Sequence, residues 1–89
     1  MEYLDLLTHI ESIIDFIKRL KSNDKVHKEY YDFLLEKYSA LKYYITKNEK
    51  KKIKELLEWN KYYAPRIIYD GIGNKDLIDL VENLNDILN

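Results

Sequence analysis

Residues 61–77 read KYYAPRIIYDGIGNKDL, and the reading of this stretch decides the fold. It holds the chain's one proline, Pro65, and both glycines, Gly71 and Gly73. Breakers so close together suggest a loop joining two helices. The apolar phase argues otherwise. Ile53, Leu56, Leu57, Tyr63 and Ala64 recur at helical spacing, and Ile67 and Ile68 carry that rhythm past the proline. A proline inside a helix forfeits one hydrogen bond and clashes with the carbonyl four residues back, at about 3 kcal/mol. Apolar burial on both sides offsets that cost. The stretch therefore predicts a third helix kinked at Pro65, or two collinear pieces with Pro65 at the first position of the second. Gly71 is expected to stop it, because glycine tolerates the left-handed backbone.

Working outward, Asn74 is a good N-cap for a final helix, with Asp76 in its first turn. Leu77, Leu80, Val81, Leu84, Ile87 and Leu88 form its apolar stripe, and Asp79, Glu82 and Asp86 face away. Towards the N-terminus, Thr46 and Glu49 match the capping box that opens the third helix. A second helix is expected from about Lys25 to Ile45. Tyr31, Leu34, Tyr38, Leu41 and Ile45 form its seam, and Phe33, Ala40, Tyr43 and Tyr44 lie off it. A first helix carries Tyr3, Leu6, Leu7, Ile10, Ile13, Ile14, Ile17 and Leu20 on one wide stripe, and Ser22-Asn23-Asp24 breaks it. No strand-period segment appears. These readings predict an all-α single domain over residues 1–89, an antiparallel four-helix bundle whose third helix is kinked or split at Pro65.

Composition narrows the chemistry. Eighty-nine residues bury about 60–65% of the unfolded surface, so stability is modest. With no cysteine, neither disulfides nor thiolate metal sites contribute. Early and repeated charges do not suit a signal peptide, and uncharged runs fall far short of the roughly 20 residues of a membrane span. A cytoplasmic location is expected. The net charge of −1 is unevenly spread: residues 25–66 hold eleven bases against six acids, and residues 67–89 hold five acids against one base. That layout either compensates itself within the bundle or steers a partner.

Catalytic constellations are missing. The two histidines, His9 and His27, sit on different segments, and no nucleophile elbow, P-loop or dinucleotide fingerprint occurs. Arg19 and His27 are too far apart for the Arg-then-His motif of small helical nucleases of the HEPN type. Asp5 with His9, and Asp24 with His27, have helical spacing but no further ligands, and local pairing is the simpler account. The chain is expected to be no enzyme and to need no cofactor or metal.

Three features suit binding. Lys47, Lys50, Lys51, Lys52 and Lys54 crowd the start of the third helix, where cations oppose the macrodipole; they suit phosphates, an acidic protein or simple solvation. Nine tyrosines include the adjacent pairs Tyr30-Tyr31, Tyr43-Tyr44 and Tyr62-Tyr63. Neighbours on a helix diverge by about 100°, so Tyr31, Tyr38 and Tyr63 are assigned to core stripes and Tyr30, Tyr43, Tyr44 and Tyr62 to edges. Finally, a helix continuing through Pro65 would align Trp59, Tyr62, Arg66, Tyr69 and Asp70. Trp, Tyr and Arg are the types most enriched in interface hot spots. Trp59 fits either that surface or the core.

Tyr62-Tyr63-Ala64-Pro65-Arg66-Ile67-Ile68-Tyr69-Asp70-Gly71, followed by Leu77 to Leu88, resembles the small all-helical bacterial immunity proteins encoded beside toxins or bacteriocins. The resemblance lies in size and helix pattern. It implies stoichiometric binding of one protein partner, a toxin or its receptor, without turnover. A phage-encoded inhibitor of host defence has the same outline. A nucleic-acid-associated accessory protein using Lys47 to Lys54, and a helix-paired homo-oligomer, are the other readings.

Overall fold

The computed structural model describes residues 3–87. Five helices follow in order: α1 (Tyr3–Asn23), α2 (Lys28–Thr46), α3 (Lys50–Tyr62), α4 (Ala64–Gly71) and α5 (Lys75–Ile87). Among the described residues there is no strand. No helix among them is long and apolar enough to cross a membrane. Five helices stand where a four-helix bundle was expected, because the third segment is split, one of the two forms expected for it, and the split lies at Tyr63. Its backbone leaves helical geometry (φ −122°, ψ −37°), so the third segment becomes two helices, with Pro65 inside the first turn of α4. There the missing N–H costs nothing, because first-turn donors have no intrahelical partner. The backbone bonds continue across the joint. Tyr63 N–H donates to Trp59 and Ile67 N–H donates to Tyr63.

The place of Tyr63 is corrected as well. It was expected on the core face and is 61% exposed, while Ala64 and Ile68 are buried. The other stripes hold. All five seam residues of α2 are buried, as are Leu6, Ile10, Ile13, Ile14 and Ile17 of α1 and Leu77, Val81 and Leu84 of α5. Leu88 and the side chain of Tyr3 lie outside the described residues. Helix α1 packs on α2 and α5, α3 on α2, α4 and α5, and α4 on α5. Lys42 to Glu11 at 3.1 Å and Lys21 to Asp32 bridge α1 and α2 at the surface. The His9 Nε2–H donates to the Leu80 carbonyl at 2.7 Å, tying α1 to α5.

One core position is polar. Asn60 of α3 is fully buried. Its Oδ1 accepts a short hydrogen bond from the buried Tyr38 hydroxyl of α2. Its Nδ2 donates to the Val81 carbonyl at 2.8 Å and to Asn85 Oδ1 at 3.0 Å, both on α5. Burial pushes the Tyr38 hydroxyl up, so it remains a neutral donor. The apolar pattern passed over Asn60, yet it sits seven residues after Ile53 and four before Ala64, in phase with the buried face.

Three end-caps differ from expectation. Helix α2 begins at Lys28, not Lys25, because Asp24 draws the intervening turn onto its carboxylate. Its Oδ1 accepts from the Val26 and His27 N–H groups, and its Oδ2 accepts from His27 Nδ1 at 2.7 Å and the Tyr31 hydroxyl at 2.8 Å. The Thr46–Glu49 capping box does not form. Thr46 is the last residue of α2 and its hydroxyl donates back to the Lys42 carbonyl. Asn48 instead takes the left-handed backbone (φ 56°), with Asn48 N–H on Ile45 and Glu49 N–H on Tyr44, which is a Schellman ending. At the end of α4 the left-handed residue is Gly73 (φ 64°), not Gly71. Gly71 is the last helical residue, and the Tyr30 ring lies where its Cβ would project. The Asn74 cap forms as expected, its Oδ1 accepting from Leu77 N–H at 2.9 Å.

Three outcomes follow from this packing. Asn60→Leu strands the Tyr38 hydroxyl in an apolar core and should cost about 2–3 kcal/mol in denaturant melts. Tyr38→Phe combined with Asn60→Leu should recover part of that loss; a double variant no more stable than Asn60→Leu alone contradicts the network. Gly71→Ala should lower Tm by a few degrees by displacing Tyr30, and Tyr30→Ala in the same chain should relieve the effect.

The third outcome concerns pH. The hydrogen bonds from His27 and Tyr31 hold the Asp24 carboxyl down from 3.8 to about 2. A depressed folded-state value means that this stability is present above pH 3.8 and lost as pH falls toward about 2. Burial and the Asp24 charge push the Tyr31 hydroxyl up from 10.0 to about 12, so its contribution is present below pH 10.0 and lost as pH rises toward about 12. Stability measured against pH should therefore fall at both limits, and Asp24→Asn should flatten the acid limb.

Candidate functional site

The expected stripe of Trp59, Tyr62, Arg66, Tyr69 and Asp70 is divided, because Trp59 is partly buried against the core while the other four are exposed. On α4, Tyr69 is 72% exposed, and Tyr62, just before the helix, is 66% exposed. The Arg66 side chain is 84% exposed and its Nε lies 3.5 Å from Asp70 Oδ2 one turn on. That pairing, four residues apart on one helix, extends the guanidinium along the surface at little gain in stability. Arg66, Tyr69 and Asp70 come together with Pro65 and with Ile78 and Glu82 of α5 around a shallow groove of about 410 Å³. Exposed Tyr63 adds a further aromatic side chain beside Tyr62. The Lys61 ammonium rests 5.4 Å from the centre of the Tyr62 ring.

Trp59 lies elsewhere. It is partly buried between α2 and α3, edge-on to Tyr38 at 5.6 Å and to Phe33 at 6.1 Å. Lys37 sits 5.6 Å from its ring centre. Trp59 is therefore a boundary residue, packed against the core and open to a second groove. That groove, also about 410 Å³, is lined by Lys37, Tyr44, Lys52 and Trp59 and by the carboxylates of Glu36 and Glu55. Tyr43 and Tyr44, assigned to edges from the sequence, divide the work: Tyr44 packs partly against the core and Tyr43 is exposed, with their rings 5.5 Å apart edge to face.

All five lysines of the basic run are exposed, and none forms an ion pair among the described residues. Two rest on tyrosines, Lys47 at 5.7 Å from the Tyr43 ring centre and Lys52 at 6.0 Å from that of Tyr44. Contacts of this kind are worth about 0.5–1 kcal/mol at exposed sites. They leave the ammonium groups open to an anion.

Of the two histidine–carboxylate pairs, only Asp24 with His27 pairs locally, within the turn before α2; His9 turns to the Leu80 carbonyl of α5 and not to Asp5. Among the described residues no three His, Cys, Asp or Glu side chains gather as a metal set would require.

A smaller cleft was missed from the sequence. Glu29, Tyr30, Phe33 and Ile67 line it between α2 and α4. The off-seam position of Tyr30 and Phe33 was the available signal; their meeting with Ile67 depends on tertiary packing. No family model, curated protein or solved structure matches this chain.

Proposed function

We propose that this protein is a non-enzymatic binding module of the immunity or inhibitor kind, which neutralises a cognate protein toxin or effector by stoichiometric contact. In this reading α3 and α4 together serve as the third member of a four-helix bundle, and α4 presents the contact surface. The observation that supports it is the exposure of Tyr62, Tyr63, Arg66 and Tyr69 on and beside one short helix. Large aromatic side chains left in water forgo burial, at about 25 cal/mol per Å² of apolar area. A partner that covers them recovers that energy, and Tyr and Arg are the types that anchor interfaces. Arg66 and Asp70 place both charges at the rim of the groove against α5, where they would select a partner's register.

The test begins with affinity capture from the native host and continues with calorimetric titration of the recovered protein. A 1:1 complex is expected. Arg66→Ala and Tyr69→Ala should each raise Kd about tenfold or more, with thermal melts unchanged. If neither variant moves Kd, the α4 assignment fails. If the protein alters its partner covalently at substoichiometric amounts, the non-enzymatic reading fails.

A further inference from the structure

The groove between α2 and α3 supports an inference that does not rest on the α4 surface. Tyr44 and Lys52 stand at its end near the α2–α3 turn, and Lys37 and Trp59 at the other. Seven residues of helix separate Lys37 from Tyr44, about 10 Å at 1.5 Å per residue. The volume of about 410 Å³ falls in the range of roughly 300–1,000 Å³ typical of ligand clefts. Ala40 and Leu56 supply apolar lining.

The chemistry of the walls is specific. Tyr44 and Trp59 provide aromatic surface for a flat ring. Glu36 and Glu55, as ionised carboxylates, only accept hydrogen bonds, as a ring bearing an exocyclic amine requires. Lys37 and Lys52 provide cations at opposite ends. Beyond Lys52 the charge continues, since Lys47, Lys50, Lys51 and Lys54 are exposed and without ion pairs among the described residues. An acidic peptide would meet the lysines but would set its carboxylates against Glu36 and Glu55, and would leave the aromatic walls unused. A nucleotide strand satisfies all three sets of groups: ring against aromatics, amine to carboxylate, phosphates on lysines. Paired bases in a duplex do not offer the ring face.

We infer that this groove and its flanking lysines bind single-stranded nucleic acid, with an amino-bearing base between Tyr44 and Trp59 and the backbone crossing Lys47 to Lys54. Trp59 is the chain's one tryptophan, so its emission reports occupancy directly. The experiment titrates the full chain at low salt with a short single-stranded oligodeoxycytidylate, and in parallel with the matching duplex and with polyglutamate. Trp59 emission should quench with the single strand, and affinity should fall steeply as salt rises. Lys50→Gln and Lys51→Gln should each reduce the salt slope by about one. Tyr44→Leu keeps apolar bulk but removes the ring, and should weaken binding about tenfold while circular dichroism confirms the fold. Absence of quenching at low salt, equal response to polyglutamate or duplex, or unchanged affinity in folded Tyr44→Leu overturns the inference. The purified chain alone is used, so failure here is separable from failure of the α4 reading.

Discussion

The buried amide of Asn60 is the constraint on which the rest of the arrangement depends. It joins Tyr38 on α2 to Val81 and Asn85 on α5. A hydrophobic residue at the same position would be free to slide, because apolar packing has no direction. A hydrogen-bonded amide accepts one rotation of α3 about its axis and one height relative to its neighbours. With Asn60 inward, Ile53 one turn pair before it and Ala64 and Ile68 after it also point inward. Trp59, a single residue away, is turned toward α2 and meets Phe33 and Tyr38. The groove next to Trp59 is thus a consequence of where the amide must point.

The same constraint explains which parts of the fold were legible in the sequence. The stripes of α1, α2 and α5 are local. Each is written in the spacing of its own apolar residues, and each is buried largely as that spacing indicates. Asn60 was not legible because periodicity reads hydrophobicity, and a satisfied polar residue on the seam registers as a gap. Tyr63 was misassigned because it neighbours the buried face without lying on it: it is turned about 100° from Ala64, and Ile53, Asn60, Ala64 and Ile68 fill that face. Helix ends were harder still. Asn48 and Gly73 carry the left-handed backbone, where the sequence pointed instead to a Thr46–Glu49 capping box and to Gly71. Gly71 is needed for a distant reason, the approach of the Tyr30 ring, which no local pattern records.

The candidate surfaces were legible by residue type but not by grouping. Tyr62 at the end of α3 and Arg66, Tyr69 and Asp70 on α4 lie outside, where a helical reading puts them. Trp59 separates from them because it packs on Phe33 and Tyr38 at the boundary with α2. Of the lysines read as a run, Lys47 and Lys52 rest on the rings of Tyr43 and Tyr44. Lys47 caps the C-terminus of α2, where a cation is favoured, whereas Lys50, Lys51, Lys52 and Lys54, in the first turns of α3, oppose the helix macrodipole. The helix tolerates this because Ile53 and Asn60 fix it from within and the Schellman ending of α2 sets its starting point.

Helix α4 shows most plainly how scaffold and surface divide. At eight residues it is shorter than the roughly 12–15 residues that an isolated helix needs. Its existence therefore depends on tertiary contact: Ala64 and Ile68 inward, Pro65 fixing the first turn, and Tyr30 closing over Gly71. These few positions do the holding, and they lie on one side. The opposite side, with Arg66 and Tyr69, carries no structural duty. Those positions are free of packing duty, and the exposed Tyr69 ring leaves apolar area in water. Under the proposed reading, a short helix anchored on one side by small and branched residues gives a rigid backing to the Tyr and Arg side chains of a contact surface.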